Sequence, residues 1–283
     1  MKRTIAVPAV VLAVLAATAC GDQEATVSAG GGGTARPTGG EVVVQLTVDG
    51  GFVPVEAALA TVPTVTVLGD GTVITGAPVP AIYPGPAIAP LQQSKLDGAG
   101  VDRLVDRARD LGLLEGPLEF GRPPVADAPN TTVTIVAGGA SHRHVAYALG
   151  IVDREPAGAG VPGLSADQVA NRRALGQFVE AANGLPPGRE AWVPAAVAVY
   201  DVGPYQLDPQ LPQREVAWPL SRPPATAVVA AGPPPCTLVE GADTATLLDA
   251  LAPANARSPW VVNGTARSLA FRPVLPGQPG CPA

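Results

Sequence analysis

His142 and His144 are the only histidines in the chain, and imidazole is the side chain best suited to moving a proton near neutral pH or to holding zinc. Their i, i+2 spacing places both on one face of a strand. A zinc site needs a third or fourth ligand from elsewhere, and no nearby Cys, His or Glu supplies one. We therefore expect two polar residues on the outer face of a hairpin, opposite Val145, Tyr147 and Leu149, with a metal site or a hydrolase built on His142 and His144 as the competing reading. Ser141 beside His142 offers a nucleophile, but neighbours on a strand point to opposite faces. No Gly-x-Ser-x-Gly, Ser-x-x-Lys or His-Glu-x-x-His occurs, so no catalytic residue is assigned. The run Gly158 to Gly163, GAGVPG, fits the glycine pattern of dinucleotide sites. Pro162 removes an amide that would cradle phosphate, and the acidic residue about 20 positions on, Glu180, falls within a helical stretch rather than at a strand end. No cofactor is expected.

The three cysteines carry a second kind of chemistry. Cys20 closes MKRTIAVPAVVLAVLAATAC, a positive end followed by an apolar run and small residues, which is the layout of a secretory signal. The run is shorter than the roughly 20 apolar residues of a spanning helix. Leu15 to Cys20 resembles the lipobox of bacterial lipoproteins, with Ala17 where that family carries Leu. The resemblance implies removal of residues 1–19, a diacylglyceryl group on the Cys20 thiol, and a place on the outer face of the cell membrane. An ordinary cleaved signal is the competing reading. Two acyl chains anchor stably where one binds only marginally. With Cys20 acylated, Cys236 and Cys281 are left to form a disulfide in an oxidising compartment, two free buried thiols being the alternative.

Composition narrows the partners. The formal charge is −6, and without Lys2 and Arg3 it becomes −8, with 16 basic against 24 acidic side chains. No basic patch is available to neutralise phosphates, so nucleic acid is excluded as a partner. Adhesion to an anionic membrane by charge is equally unfavourable, which leaves the lipid at Cys20 to hold the membrane. The 33 glycines and 33 prolines demand short elements and many loops.

The elements follow from period and punctuation. Residues 20–40 are polar and glycine-rich and read as a tether, with folded sequence from Glu41. Val42 to Val48 predicts a strand, and Thr61 to Val67 with Thr72 to Thr75 predicts a hairpin about Gly69-Asp70-Gly71. Gly76 to Pro90 holds five prolines and predicts an extended surface loop, with Leu91 to Leu96 as an edge strand. Helical spacing predicts a helix over Asp97 to Leu111. A second hairpin is expected over Thr131 to Val136 and His142 to Leu149. Ser165 and Gln168 form a capping box for a helix over Ala166 to Ala182, placed as a link between two halves. The second half reads Trp192 to Tyr200 and Arg214 to Trp218 as strands, Asp243 to Leu251 as a helix, then strands Trp260 to Val262 and Ala266 to Arg272. The fold class is α+β, two small units of mainly antiparallel sheet with one packed helix each, over 41–155 and 191–283, joined by 156–190. Trp192, Trp218 and Trp260 lie on predicted strands and are assigned to packing, whereas Tyr83, Pro84 and Pro86 form a recognition loop.

GGFVP at Gly50 to Pro54, the hairpin TVTVLGDGTVIT, the YPGPA segment and the helix GVDRLVDRARDLGLL together resemble a recurrent pattern of uncharacterised secreted actinobacterial lipoproteins. That likeness covers about the first 110 folded residues and implies location and anchoring, but no activity. The expected function is a non-enzymatic, lipid-anchored cell-envelope protein that presents proline-rich loops to an envelope protein or a cell-wall component. A third reading, small-ligand capture between the halves, would require an apolar cleft near Ala166 to Ala182.

Overall fold

Short β-branched runs separated by Gly and Pro give two antiparallel-dominated sheets, and with four helices among the described residues they form an α+β fold. The computed structural model describes residues 36–153, 161–226 and 233–282, all within one compact unit. The expectations for Met1 to Cys20, for 21–35 of the tether and for 158–160 of the glycine run lie outside the described residues. Among those described, no helix is long and apolar enough to cross a membrane.

The first sheet has seven strands in the order β6-β5-β1-β2-β3-β4-β7, every neighbour antiparallel. They are β1 (Val42–Gly50), β2 (Val65–Leu68), β3 (Thr72–Gly76), β4 (Leu91–Lys95), β5 (Pro129–Ala137), β6 (Ala140–Tyr147) and β7 (Glu190–Trp192). The Asp70-Gly71 turn forms as its chemistry requires: the Asp70 carboxylate accepts the Thr72 N–H at 2.9 Å, and Gly71 takes φ +87°. A Cβ at Gly71 would lie 2.1 Å from the Leu96 carbonyl, so only glycine fits.

Two helices cover one face. In α2 (Gly98–Asp110) the Asp97 carboxylate caps the Gly100 N–H at 2.7 Å, and Val101, Leu104, Val105 and Ala108 are buried while Asp102, Arg103 and Asp106 face water. In α3 (Ala166–Asn183) the expected capping box is present in both directions. This helix does not bridge two halves: Leu175 and Phe178 join Val44, Leu46, Val133, Ile135 and the α2 stripe in one core. The fully buried Arg172 fastens it, its guanidinium donating to both oxygens of Asp153 at 2.7 and 3.0 Å and to the Tyr147 carbonyl at 2.9 Å.

The second sheet has the order β10-β8-β12-β11-β9, antiparallel except for β11 with β9. Its strands are β8 (Ala196–Pro204), β9 (Val216–Ala217), β10 (Cys236–Glu240), β11 (Trp260–Val262) and β12 (Thr265–Pro273). One face packs on α4 (Ala242–Leu251) through Leu247 and Leu251, around Trp260 and Phe271. Trp260 meets Phe271 at 4.9 Å and Trp218 at 6.2 Å between ring centroids, and Trp192 packs against Leu68, Ile74, Leu91 and Leu275, so the three tryptophans pack as expected. The Cys236–Cys281 disulfide is formed.

Several expectations are corrected. Trp192 to Tyr200 is not one strand: it breaks at 193–195, where Pro194 has no N–H to give a ladder. The piece before the break, β7, closes the edge of the first sheet beside β4, so Leu91 to Lys95 is an interior strand. The chain is already fastened at Arg36, whose guanidinium binds Asp102 at 2.7 Å and the Gly69 carbonyl at 2.8 Å. The two sheets are also not copies of one unit. After its covering helix the first sheet sets the earlier strand, β5, against β1, whereas the second sets the later strand, β12, against β8.

Candidate contact groove

The ladder register fixes where the proline loop and the GGFVP segment emerge. Leu46 pairs with Val65 and Gly76 with Leu91, so the connections 51–64 and 77–90 both leave the same end of the first sheet. Arg36 and the turn at Gly69 to Gly71 lie at the other end, where Val42 pairs with Leu68. The 51–64 connection contains α1 (Val55–Leu59), a single turn entered from Pro54, which rests on the second sheet with Leu59 beside Ala198, Tyr200 and Ala270. Sequence reading misses this turn, since five residues are too few for a helical period to show.

Between the two connections lies a groove of about 320 Å³. Pro54, Ala57 and Ala60 form one wall, Tyr83, Pro86, Ala87 and Ala89 the other, and Leu269 to Phe271 of β12 the floor. The proline wall is held in place from the second sheet: the Ala87 N–H donates to the Ala254 carbonyl at 3.3 Å, and the Ala256 N–H donates to the Gly85 carbonyl at 2.9 Å. Glu56 and Arg257 supply the only charges on the lining. Of the recognition residues expected from sequence, Tyr83 is 74% exposed, Pro86 is exposed and Pro84 is half-buried. Small-ligand capture would require an apolar cleft along Ala166 to Ala182, but the apolar side of α3 is committed to the first core.

The histidines are positioned differently from expectation. In the β5–β6 hairpin Val133 pairs with His144 and Ile135 with His142, and paired residues share a face. The face that carries Val133 and Ile135 into the core therefore carries the histidines inward, and Val145, expected in the core, is 38% exposed instead. His144 is 3% exposed; its Nε2–H donates to the Leu113 carbonyl at 2.8 Å, and its ring meets Phe120 edge-on at 5.7 Å. Burial holds its pKa below the usual histidine value, opposed by the Leu113 bond and assisted by His142 nearby. Among the described residues no three His, Cys, Asp or Glu side chains gather as a metal site. A two-residue turn at Gly138-Gly139 would have revealed this register, because it obliges Ala137 to face Ala140 and fixes every pair above.

No known protein family matches the chain, and neither a curated protein nor a solved structure is similar to it.

Proposed function

We propose that the protein is a non-enzymatic contact module of the cell envelope, exported by the Met1 to Cys20 signal, lipid-anchored at Cys20 on the outer face of the membrane, and presenting the 51–64 and 77–90 connections to an envelope component. The observation that carries this reading is the groove between those connections. Two segments distant in sequence, GGFVP and YPGPA, meet there with apolar side chains left in water, and exposed apolar surface of this kind marks contact sites. The competing reading, a hydrolase or metal-dependent enzyme using His142 and His144, is weakened by the enclosure of His144, whose Nε2 is bonded and whose ring is packed.

Two measurements test the proposal. Cys20→Ser releases the protein from membranes or leaves it unprocessed, and a variant that stays anchored as before refutes lipidation. For contact, the Cys20→Ser chain is mixed with separated envelope fractions, membranes and cell-wall sacculi. Retention on one fraction that falls with Tyr83→Ser supports the reading, and equal retention of the two proteins, or none, rejects it.

A further inference from the structure

We infer that the end of the first sheet carrying Phe52, Ile82 and Tyr83 is a lipid-contacting surface that settles into the interfacial layer of a bilayer. This rests on the proposal that the same end is the contact surface, and it names the occupant. Phe52 is 92% exposed, Ile82 66% and Tyr83 74%, and Val53, Val55 and Val79 are about half exposed. These six account for half of the twelve large apolar side chains left exposed among the described residues, and all six lie on two connections that leave one end of one sheet.

Charge and hydrogen bonding discriminate between occupants. The connections 51–64 and 77–90 carry one charged side chain between them, the half-buried Glu56, in a chain with 18 basic and 24 acidic residues. A protein partner would be met by about one hydrogen bond per 100–200 Å² of interface, and a glycan would need donors and acceptors. Donors are thinned here: Pro54, Pro78, Pro80, Pro84, Pro86 and Pro90 have no N–H, and the Ala77, Ile82 and Ala87 amides are already bonded to Pro90, Pro80 and Ala254. A backbone with fewer donors to satisfy loses less when it leaves bulk water for the interfacial layer. Tyr83 and Phe52 add rings, of which tyrosine favours the headgroup level.

Reach is sufficient. Arg36 follows Cys20 by sixteen positions, and a chain of that length spans at most about 55 Å. The nine residues of β1, which run from the Arg36 end to the Phe52 end, span about 30 Å. An anchored chain can therefore lay this end on the bilayer that holds its own lipid, and two attachments together give stable residence where a shallow apolar tip alone binds weakly.

The test uses the chain with Cys20→Ser, so that no lipid contributes, in flotation with phosphatidylcholine vesicles. The protein should float with the vesicles, and Phe52→Ser/Ile82→Ser/Tyr83→Ser should lower its partition coefficient by about tenfold or more, since each methylene withdrawn from lipid is worth roughly 0.8 kcal/mol. Thermal unfolding of the triple variant should match that of its parent, which separates lost contact from lost folding. Partition should change less than about twofold between low and high salt, because the half-buried Glu56 is the only charged side chain on the two connections. Equal flotation of parent and triple variant, or flotation only with anionic vesicles at low salt, overturns the inference. Retention on sacculi or on an envelope protein without flotation also overturns it, while leaving the contact proposal standing. Retention on nothing rejects both.

Discussion

The two sheets bury their cores by different means. The seven-stranded sheet has two long helices on one face, keyed to it by buried polar groups: Arg172, fully buried, reaches from α3 to Asp153, the Tyr147 carbonyl and, at 3.3 Å, the Phe120 carbonyl, and His144 reaches the Leu113 carbonyl beyond α2. The five-stranded sheet has one ten-residue helix and is fastened within itself. Arg267 of β12 pairs with the buried Asp201 of β8, Arg272 donates to the Tyr200 hydroxyl and to the Pro279 and Gly280 carbonyls, and Cys236 is bridged to Cys281. A small core gains little from burial, so covalent and ionic fasteners carry more of its stability. The groove floor lies on that smaller sheet, and its shape therefore depends on those fasteners.

Arg172→Ala is the harshest way to break this comparison. It strands Asp153 and two carbonyls beside the core, and removing one partner of a buried pair costs about 3–5 kcal/mol. Chemical denaturation should show that loss, with hydrogen exchange accelerated first in α3 and β6. A change below about 1 kcal/mol would mean that apolar contact alone holds the helix layer. Asp201→Ala should also destabilise, by removing the buried carboxylate that pairs with Arg267, but with exchange accelerated in β8 and β12.

Reducing the disulfide is the next largest perturbation. Cys236 and Cys281 are 45 positions apart, and a loop of that size is worth up to about 4 kcal/mol in chain entropy. The residues it secures run from β12 to the far face of the first sheet, where Leu275 packs with Leu68, Ile74 and Leu91, and the Gln278 amide donates to Gln45 Oε1 at 2.5 Å. Cys236→Ala/Cys281→Ala should therefore lower stability by about 2–4 kcal/mol and loosen the groove floor before it loosens α2 or α3. Equal loosening everywhere would show the two sheets to be energetically one.

Local chemistry in the sequence is sufficient for the elements that carry their own punctuation. Asp70-Gly71 and Asn263-Gly264 are hairpin turns, with Asn263 at φ +50° and Gly264 at φ +77°, and Asp97 and Ser165 begin helices. Three features are not legible. β10 follows Pro233 to Pro235 and has no alternation to announce it. The histidine face comes out reversed when read from Val145 and Tyr147 alone, because the apolar strand opposite decides it through the register. The groove draws on four segments between Pro54 and Phe271, and no sequence period links residues so far apart. Tyr83 is legible because prolines that stiffen a loop hold an aromatic in water, whereas Phe52 stands in a segment notable only for its resemblance.

A gentler perturbation probes the larger sheet by pH. His144 is neutral in the fold and burial depresses its pKa, so the unfolded chain binds the proton more readily. Stability from this group is complete above the ordinary histidine value of about 6.5, and falls as pH drops below it toward the depressed native pKa. Denaturation midpoints between about pH 7.5 and 5 should decline, and His144→Gln should flatten that decline even if it lowers the plateau. An unchanged slope would assign the decline to carboxylates instead.

The smallest expected effect on stability concerns the apolar end of the first sheet. Phe52→Ser removes a side chain that is 92% exposed and so contributes almost no burial; its effect on unfolding should stay within about 0.5 kcal/mol, as for surface substitutions generally. Arg36→Ala at the opposite end removes bonds to Asp102, Gly69, Pro37 and Gly98 and should cost about 1–2 kcal/mol. If denaturation shows that ordering, the apolar end is not maintained by folding, and a reason outside the folded chain is needed for placing phenylalanine, isoleucine and tyrosine in water there. If Phe52→Ser instead costs as much as Arg36→Ala, the loop packs in solution, and the apolar residues at this end are explained by stability rather than by contact.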